Sequence, residues 1–150
     1  MPQSLSSVLV HAVFSTKERK PWIAPEIKPD LHSYLARILN TTECPCLTLN
    51  TATDHLHVLF HLSRTATVAD VSGRMKKRSS KWIKEKWPEL EGFFWQGGYG
   101  AFSVSQSRVL QVRRDIETQE AHHRHRTFQE EFRELLRRHS VPDDERYVWD

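Results

Sequence analysis

The stretch Asp54-His55-Leu56-His57-Val58-Leu59-Phe60-His61-Leu62 constrains the chain more than any other. Its apolar content and bounding residues read as a β-strand, in which alternate side chains share a face. His55 and His57 therefore point one way, while Leu56 and Val58 point the other. Two imidazoles on one strand face are a pair of potential metal ligands. A pair is not a site, because a hard, oxygen-preferring cation needs further ligands from elsewhere in the chain, from water or from substrate. The alternative is an incidental His-x-His on a half-buried strand.

At 150 residues the chain reads as one domain spanning 1–150, long enough to bury a single core. No apolar run approaches a membrane span, and no basic segment, apolar region and cleavage site open the sequence. A cytoplasmic location without membrane attachment is the resulting expectation. Cys44 and Cys46, the only cysteines, read as small buried hydrophobes in a reducing compartment rather than as a metal site. Net charge is only +3, but its distribution is uneven. Arg74, Lys76, Lys77, Arg78, Lys81, Lys84 and Lys86 fall in one short segment against a single acid, Glu85. Such a segment is either a surface for an anionic partner or a solvated helix face.

Ser7 to Phe14 is rich in β-formers and predicts a buried first strand. Lys17 to Pro29 predicts a loop, and from Asp30 the spacing of Leu31, Tyr34, Leu35, Ile38 and Leu39 predicts an amphipathic helix. Strands over Cys46 to Asn50 and Asp54 to Leu62 follow. Thr67 or Asp70 caps a helix with the stripe Val68, Val71, Met75 and Trp82, whose other face carries Arg74, Lys77, Arg78, Lys81 and Lys84. Phe93 to Trp95 and Ala101 to Val104 read as short strands around a glycine-rich turn. Ser105 or Ser107 caps a helix with Val109, Val112 and Ile116 inward. After a polar break at His122, His123 and His125, Thr127-Phe-Gln-Glu130 has the form of a capping box. Phe128, Phe132, Leu135 and Leu136 then form a helical stripe, and the tail ending in Tyr147-Val-Trp149 is expected to dock on the body. This order predicts an α+β fold, with helices covering an antiparallel sheet.

Asp115 and Gln119 lie one helical turn apart on the late helix, and a Gln amide oxygen suits a divalent cation already held by two imidazoles. A helical Gln is equally an ordinary surface residue. At this point the sequence resembles the small tyrosine transposases of insertion sequences, in the HUH nuclease superfamily, which include repeat-associated, domesticated relatives. The resemblance is carried by Ser7-Val-Leu-Val-His-Ala-Val-Phe-Ser-Thr-Lys17, Asp54-His-Leu-His-Val-Leu-Phe60 and Lys76-Lys-Arg-Ser-Ser-Lys-Trp82. It continues through Trp95-Gln-Gly-Gly-Tyr-Gly-Ala-Phe-Ser103, Gln119-Glu-Ala-His-His123, Phe128-Gln-Glu-Glu-Phe132 and Glu145-Arg-Tyr-Val-Trp149.

The resemblance implies a ferredoxin-like or RRM-like antiparallel sheet covered by helices, with the His-x-His on a central strand. It implies a homodimer that binds single-stranded DNA, often folded into hairpins. It also implies Mg²⁺ or Mn²⁺ held by His55, His57 and Gln119, with a helix-borne tyrosine attacking the scissile phosphate. That tyrosine belongs four residues before the third ligand, in a pattern like Tyr-Ile-x-x-Gln. Here the position holds Asp115, and none of Tyr34, Tyr99 and Tyr147 stands in its place. An acyl phosphodiester on Asp115 would be labile, so its carboxylate better suits an additional metal ligand. The alternatives are a non-catalytic or domesticated single-stranded nucleic-acid-binding relative, a hydrolytic metal-dependent nickase, or a chain altered at 115. Arg74, Lys77, Arg78, Lys81 and Lys84 are the candidate phosphate contacts. Tyr99, with Trp95 and Phe102, is a candidate for stacking on unpaired bases, the other reading of Trp95 and Phe102 being core.

Overall fold

The computed structural model describes residues 2–119 and 126–150. Strand β1 spans Leu9–Ser15, helix α1 Lys28–Thr41, β2 Cys46–Thr51, β3 His55–His61, α2 Val68–Lys86 and β4 Gly100–Val104. Among the described residues two further α-helices follow, α3 at Val109–Glu117 and α4 at Phe128–Arg138. The sheet order is β2-β3-β1-β4, and every adjacent pair is antiparallel. Order and connectivity together make the ferredoxin-like arrangement. The α+β expectation holds, and β3, with its two histidines, lies inside the sheet.

Alternation along the strands separates two cores. Val10, Ala12 and Phe14 of β1 and Leu56, Val58 and Phe60 of β3 face α1 and α2. Leu9 and Leu59 face the other way, against Val109 and Ile116 of α3. Val13 and Phe102 on that same face meet Phe128, Phe132 and Leu136 of α4. Strand β1 is thus buried on both sides, as its unbroken run of β-formers predicts.

Helix α1 starts at Lys28, two residues before the predicted point, because Pro29 in its first turn already has a helical φ. Tyr34 stacks on Trp82 at 4.6 Å, which ties α1 to α2. Thr67 is the cap of α2, its side chain accepting from the Asp70 N–H. Thr127 caps α4 in the same way through the Glu130 N–H.

Two local expectations are corrected. Phe93 to Trp95 is not a strand but a single bridge between Thr16 and Trp95. The partner segment turns away through Glu18 and Arg19, both at positive φ, so no second rung can form. Neither Ser105 nor Ser107 caps α3. A 3₁₀ turn over Gln106–Arg108 intervenes, and the two hydroxyls bond to each other at 3.1 Å. The tail docks as expected, with the Trp149 ring near those of Phe128 and Phe132 and the Asp150 carbonyl accepting from Gly98 N–H. Among the described residues no helix is long and apolar enough to cross a membrane.

Candidate metal centre

His55 and His57 stand side by side on the sheet face covered by α3 and α4, with ring centroids 5.2 Å apart. They are only 1 % and 2 % exposed, so every ring nitrogen must be accounted for. His55 Nδ1 lies 2.6 Å from Asp54 Oδ1, and His57 Nδ1 lies 2.9 Å from His11 Nε2. Across from them, Glu131 of α4 brings Oε1 to 2.9 Å from His57 Nε2, without in-line hydrogen-bond geometry. One ligand atom from each of His55, His57 and Glu131 can be drawn within 4.8 Å of the others, a spacing that fits a single cation.

Burial dominates the electrostatics. It pushes His57 below the ordinary histidine range, against the opposing pull of Glu131 and, more weakly, Asp115. It pushes His11 down to about 3, with the neighbouring His57 adding to the effect. Both rings are neutral at physiological pH, the form in which imidazole nitrogen ligates a metal.

Gln119 follows α3 and is 1 % exposed, and among the described residues neither its Oε1 nor its Nε2 has a hydrogen-bond partner. A buried primary amide with both ends unsatisfied costs roughly 1–3 kcal/mol per group. Neutral imidazoles and a carboxylate within reach of one another are a donor set that suits a divalent cation. The residues present therefore fit such an ion. Asp115 is exposed on α3, accepts from Gln111 Nε2 at 2.9 Å, and is not among the grouped ligand atoms. It lines a cleft of about 390 Å³ together with His11, His57, Glu131, Arg108, Arg126 and Arg138.

The carboxylate beside the imidazoles is thus Glu131, which sequence reading missed. A signal existed: residue 131 falls three after Phe128 and four before Leu135, on the inward stripe of α4. The cleft arginines were also missed, being scattered over three segments. The basic helix lies elsewhere, since α2 packs with α1 on the sheet face opposite the imidazoles. Arg74, Lys77, Arg78 and Lys81 are exposed there, and Lys84 Nζ sits 3.8 Å from the centre of the Phe94 ring. Lys76 turns inward to the carbonyls of Gln96, Gly97 and Gly98, and burial lowers it to about 8. Tyr99 is 39 % exposed, whereas Trp95 and Phe102 are core at 7 % and 3 %. His122, His123 and His125 lie outside the described residues.

The family described as transposase, IS200 like, matches residues 4–119, which takes in the whole sheet, both histidines, Asp115 and Gln119. The chain belongs to this family. Among solved structures, a candidate transposase from Deinococcus radiodurans R1 is similar at 21 % identity and a TM-score of 0.65. That likeness covers 79 % of this chain and 98 % of that one. A REP-associated tyrosine transposase bound to a REP hairpin is similar at 9 % identity and a TM-score of 0.62, covering 82 % of this chain and 72 % of that one. At these identities the two structures speak for the fold. No curated protein matches. In this IS200-like transposase, Asp115 and His57 share one cleft wall.

Proposed function

We propose that this IS200-like transposase binds single-stranded, hairpin-forming DNA as a homodimer, takes up Mg²⁺ or Mn²⁺, and does not form the covalent protein–DNA link of tyrosine transposases. The observation that carries the reading is one cleft wall holding His57, Glu131 and Asp115, with Gln119 buried four residues after Asp115. His55, His57, Gln119 and Glu131 would hold the cation, which when bound polarises a phosphate oxygen. Arg108, Arg126 and Arg138 would receive the DNA backbone at the cleft, and Arg74, Lys77, Arg78, Lys81 and Lys84 on the opposite face would bind further phosphates. Tyr99 would offer its exposed ring to an unpaired base. The hairpin bound by the REP-associated neighbour supports the choice of DNA form.

An attacking atom must come within roughly 3–3.5 Å of phosphorus, in line with the leaving oxygen. Aspartate is shorter than tyrosine by most of a ring, so Asp115 falls short of that point from the same helix. Its place on the cleft wall favours a second reading, hydrolytic nicking, in which the Asp115 carboxylate takes a proton from water as the water oxygen attacks phosphorus, the bond from phosphorus to the leaving sugar oxygen breaks, and that oxygen takes up a proton from solvent. Hairpin-ended single-stranded DNA incubated with Mn²⁺ separates the outcomes. The unaltered protein should give no covalent adduct, and Asp115→Tyr should give one. An adduct from the unaltered chain overturns the reading. Free nicked product from the unaltered chain, lost in Asp115→Asn, selects hydrolysis.

A further inference from the structure

His55 and His57 share a strand face but differ in what stands behind them. His55 Nδ1 faces the Asp54 carboxylate at 2.6 Å, an acceptor only, so Nδ1 is the donor of that bond. His57 Nδ1 faces a second imidazole, His11 Nε2, at 2.9 Å. His11 comes from the neighbouring strand β1, one alternate position along from Val13, which pairs with His57 in the register. It is 7 % exposed, and its ring centroid lies 5.1 Å from that of His57.

A neutral imidazole has one donor and one acceptor nitrogen, so this pair can make its hydrogen bond in two senses. With a proton on His57 Nε2, facing Glu131, Nδ1 is a lone pair and must accept from His11. With a cation on Nε2, the proton must be on Nδ1, and His11 must accept it. We infer that His11 is the positioning residue for His57, holding its ring in place and reversing the sense of their shared hydrogen bond when a cation is bound. Each ring keeps one proton throughout, which moves from Nε2 to Nδ1 in both His57 and His11. A fixed acceptor behind His57 would favour only the loaded form, whereas His11 can serve His57 Nδ1 as donor in one form and acceptor in the other. The inference rests on the cation reading above, with one addition, since it assigns a role to a residue outside the group of close ligand atoms.

The test uses the full-length chain. Mn²⁺ binding is measured by calorimetry for the unaltered protein, His11→Leu and His11→Gln, the last having an amide that donates or accepts. Loss of an outer-shell partner weakens metal binding by about 10–100-fold, which is the drop expected for His11→Leu, with His11→Gln remaining near the unaltered value. Unchanged Mn²⁺ affinity in a folded His11→Leu overturns the assignment while leaving the cation site standing. A chain that takes up no Mn²⁺ at all overturns both. The tautomer is read independently of any substitution, from ¹⁵N signals of His57 in the unaltered protein with and without Mg²⁺. The proton should be found on Nδ1 in the loaded form, and Nε2 protonation there overturns the inference even if His11→Leu fails to fold.

Discussion

Glu131 shows how one side chain changes the reading of a site. A carboxylate 2.9 Å from a buried imidazole nitrogen is expensive to desolvate unless something positive joins it. Replacing Glu131 with Ala should weaken Mn²⁺ binding at least as much as loss of an outer-shell partner, roughly tenfold or more, measured by calorimetry. Replacing Asp115 with Ala should weaken it far less, since Asp115 lies outside the group of close ligand atoms. A second residue-level expectation concerns pH. His32 bonds to Thr51 Oγ1 at 2.9 Å, and burial, helped by Lys28, lowers it to about 4. Between pH 4 and an unfolded value of about 6.5, the unfolded chain binds this proton and the native chain does not. Its stability contribution is therefore complete above about 6.5 and declines as pH falls towards 4. In His32→Gln the metal-free protein should lose stability less steeply across that window in urea titrations. His11 and His57 keep the same sign, so the slope should shrink without vanishing.

Helix α4 can deliver Glu131 only because strand β4 leaves room for it. A Cβ on Gly100 would fall 2.4 Å from Phe132 Cε2 and 2.8 Å from its Cζ. Phe132 cannot swing aside, being packed among Phe102, Phe128 and Trp149. Gly100→Ala should then cost about 1–3 kcal/mol in chemical denaturation, as overpacking does. Because Glu131 directly precedes Phe132, Mn²⁺ affinity should fall with it. Helix α2 makes the contrasting case. It lies across the sheet from the imidazoles, so Lys77→Ala with Lys81→Ala should leave Mn²⁺ binding intact. The pair should weaken single-stranded DNA binding across sequences and reduce the salt slope by roughly one unit for each phosphate no longer neutralised. Unchanged binding and slope would make the stripe a solvated face.

The whole molecule is a sheet with unlike faces, one closed by α1 and α2 into an apolar core, the other carrying histidines beneath α3 and α4. The homodimer proposed for it should sediment as such at micromolar concentration, and a monomer there would count against that part of the reading. Much of this architecture was legible beforehand, because it follows from local periodicity. The alternation in β1 and β3, the helical stripes around Leu35, Met75 and Phe132, and the caps at Thr67 and Thr127 depend on neighbours a few residues apart. The shared face of His55 and His57 is legible for the same reason. What the sequence could not order was anything joined across long separations. His11 reaches His57 over 46 positions and Ser15 Oγ reaches Gln96 over 81, and no spacing rule encodes either. Residue 131 is polar at an inward position, which periodicity alone treats as a flaw in a stripe. Only the packing of α4 on Phe102 and Val13 turns that position towards the imidazoles. The same holds for the basic helix, whose charge pattern was plain in the sequence. Its side of the sheet was decided by which helix face could bury Val71, Met75 and Ile83 against Phe14 and Phe60.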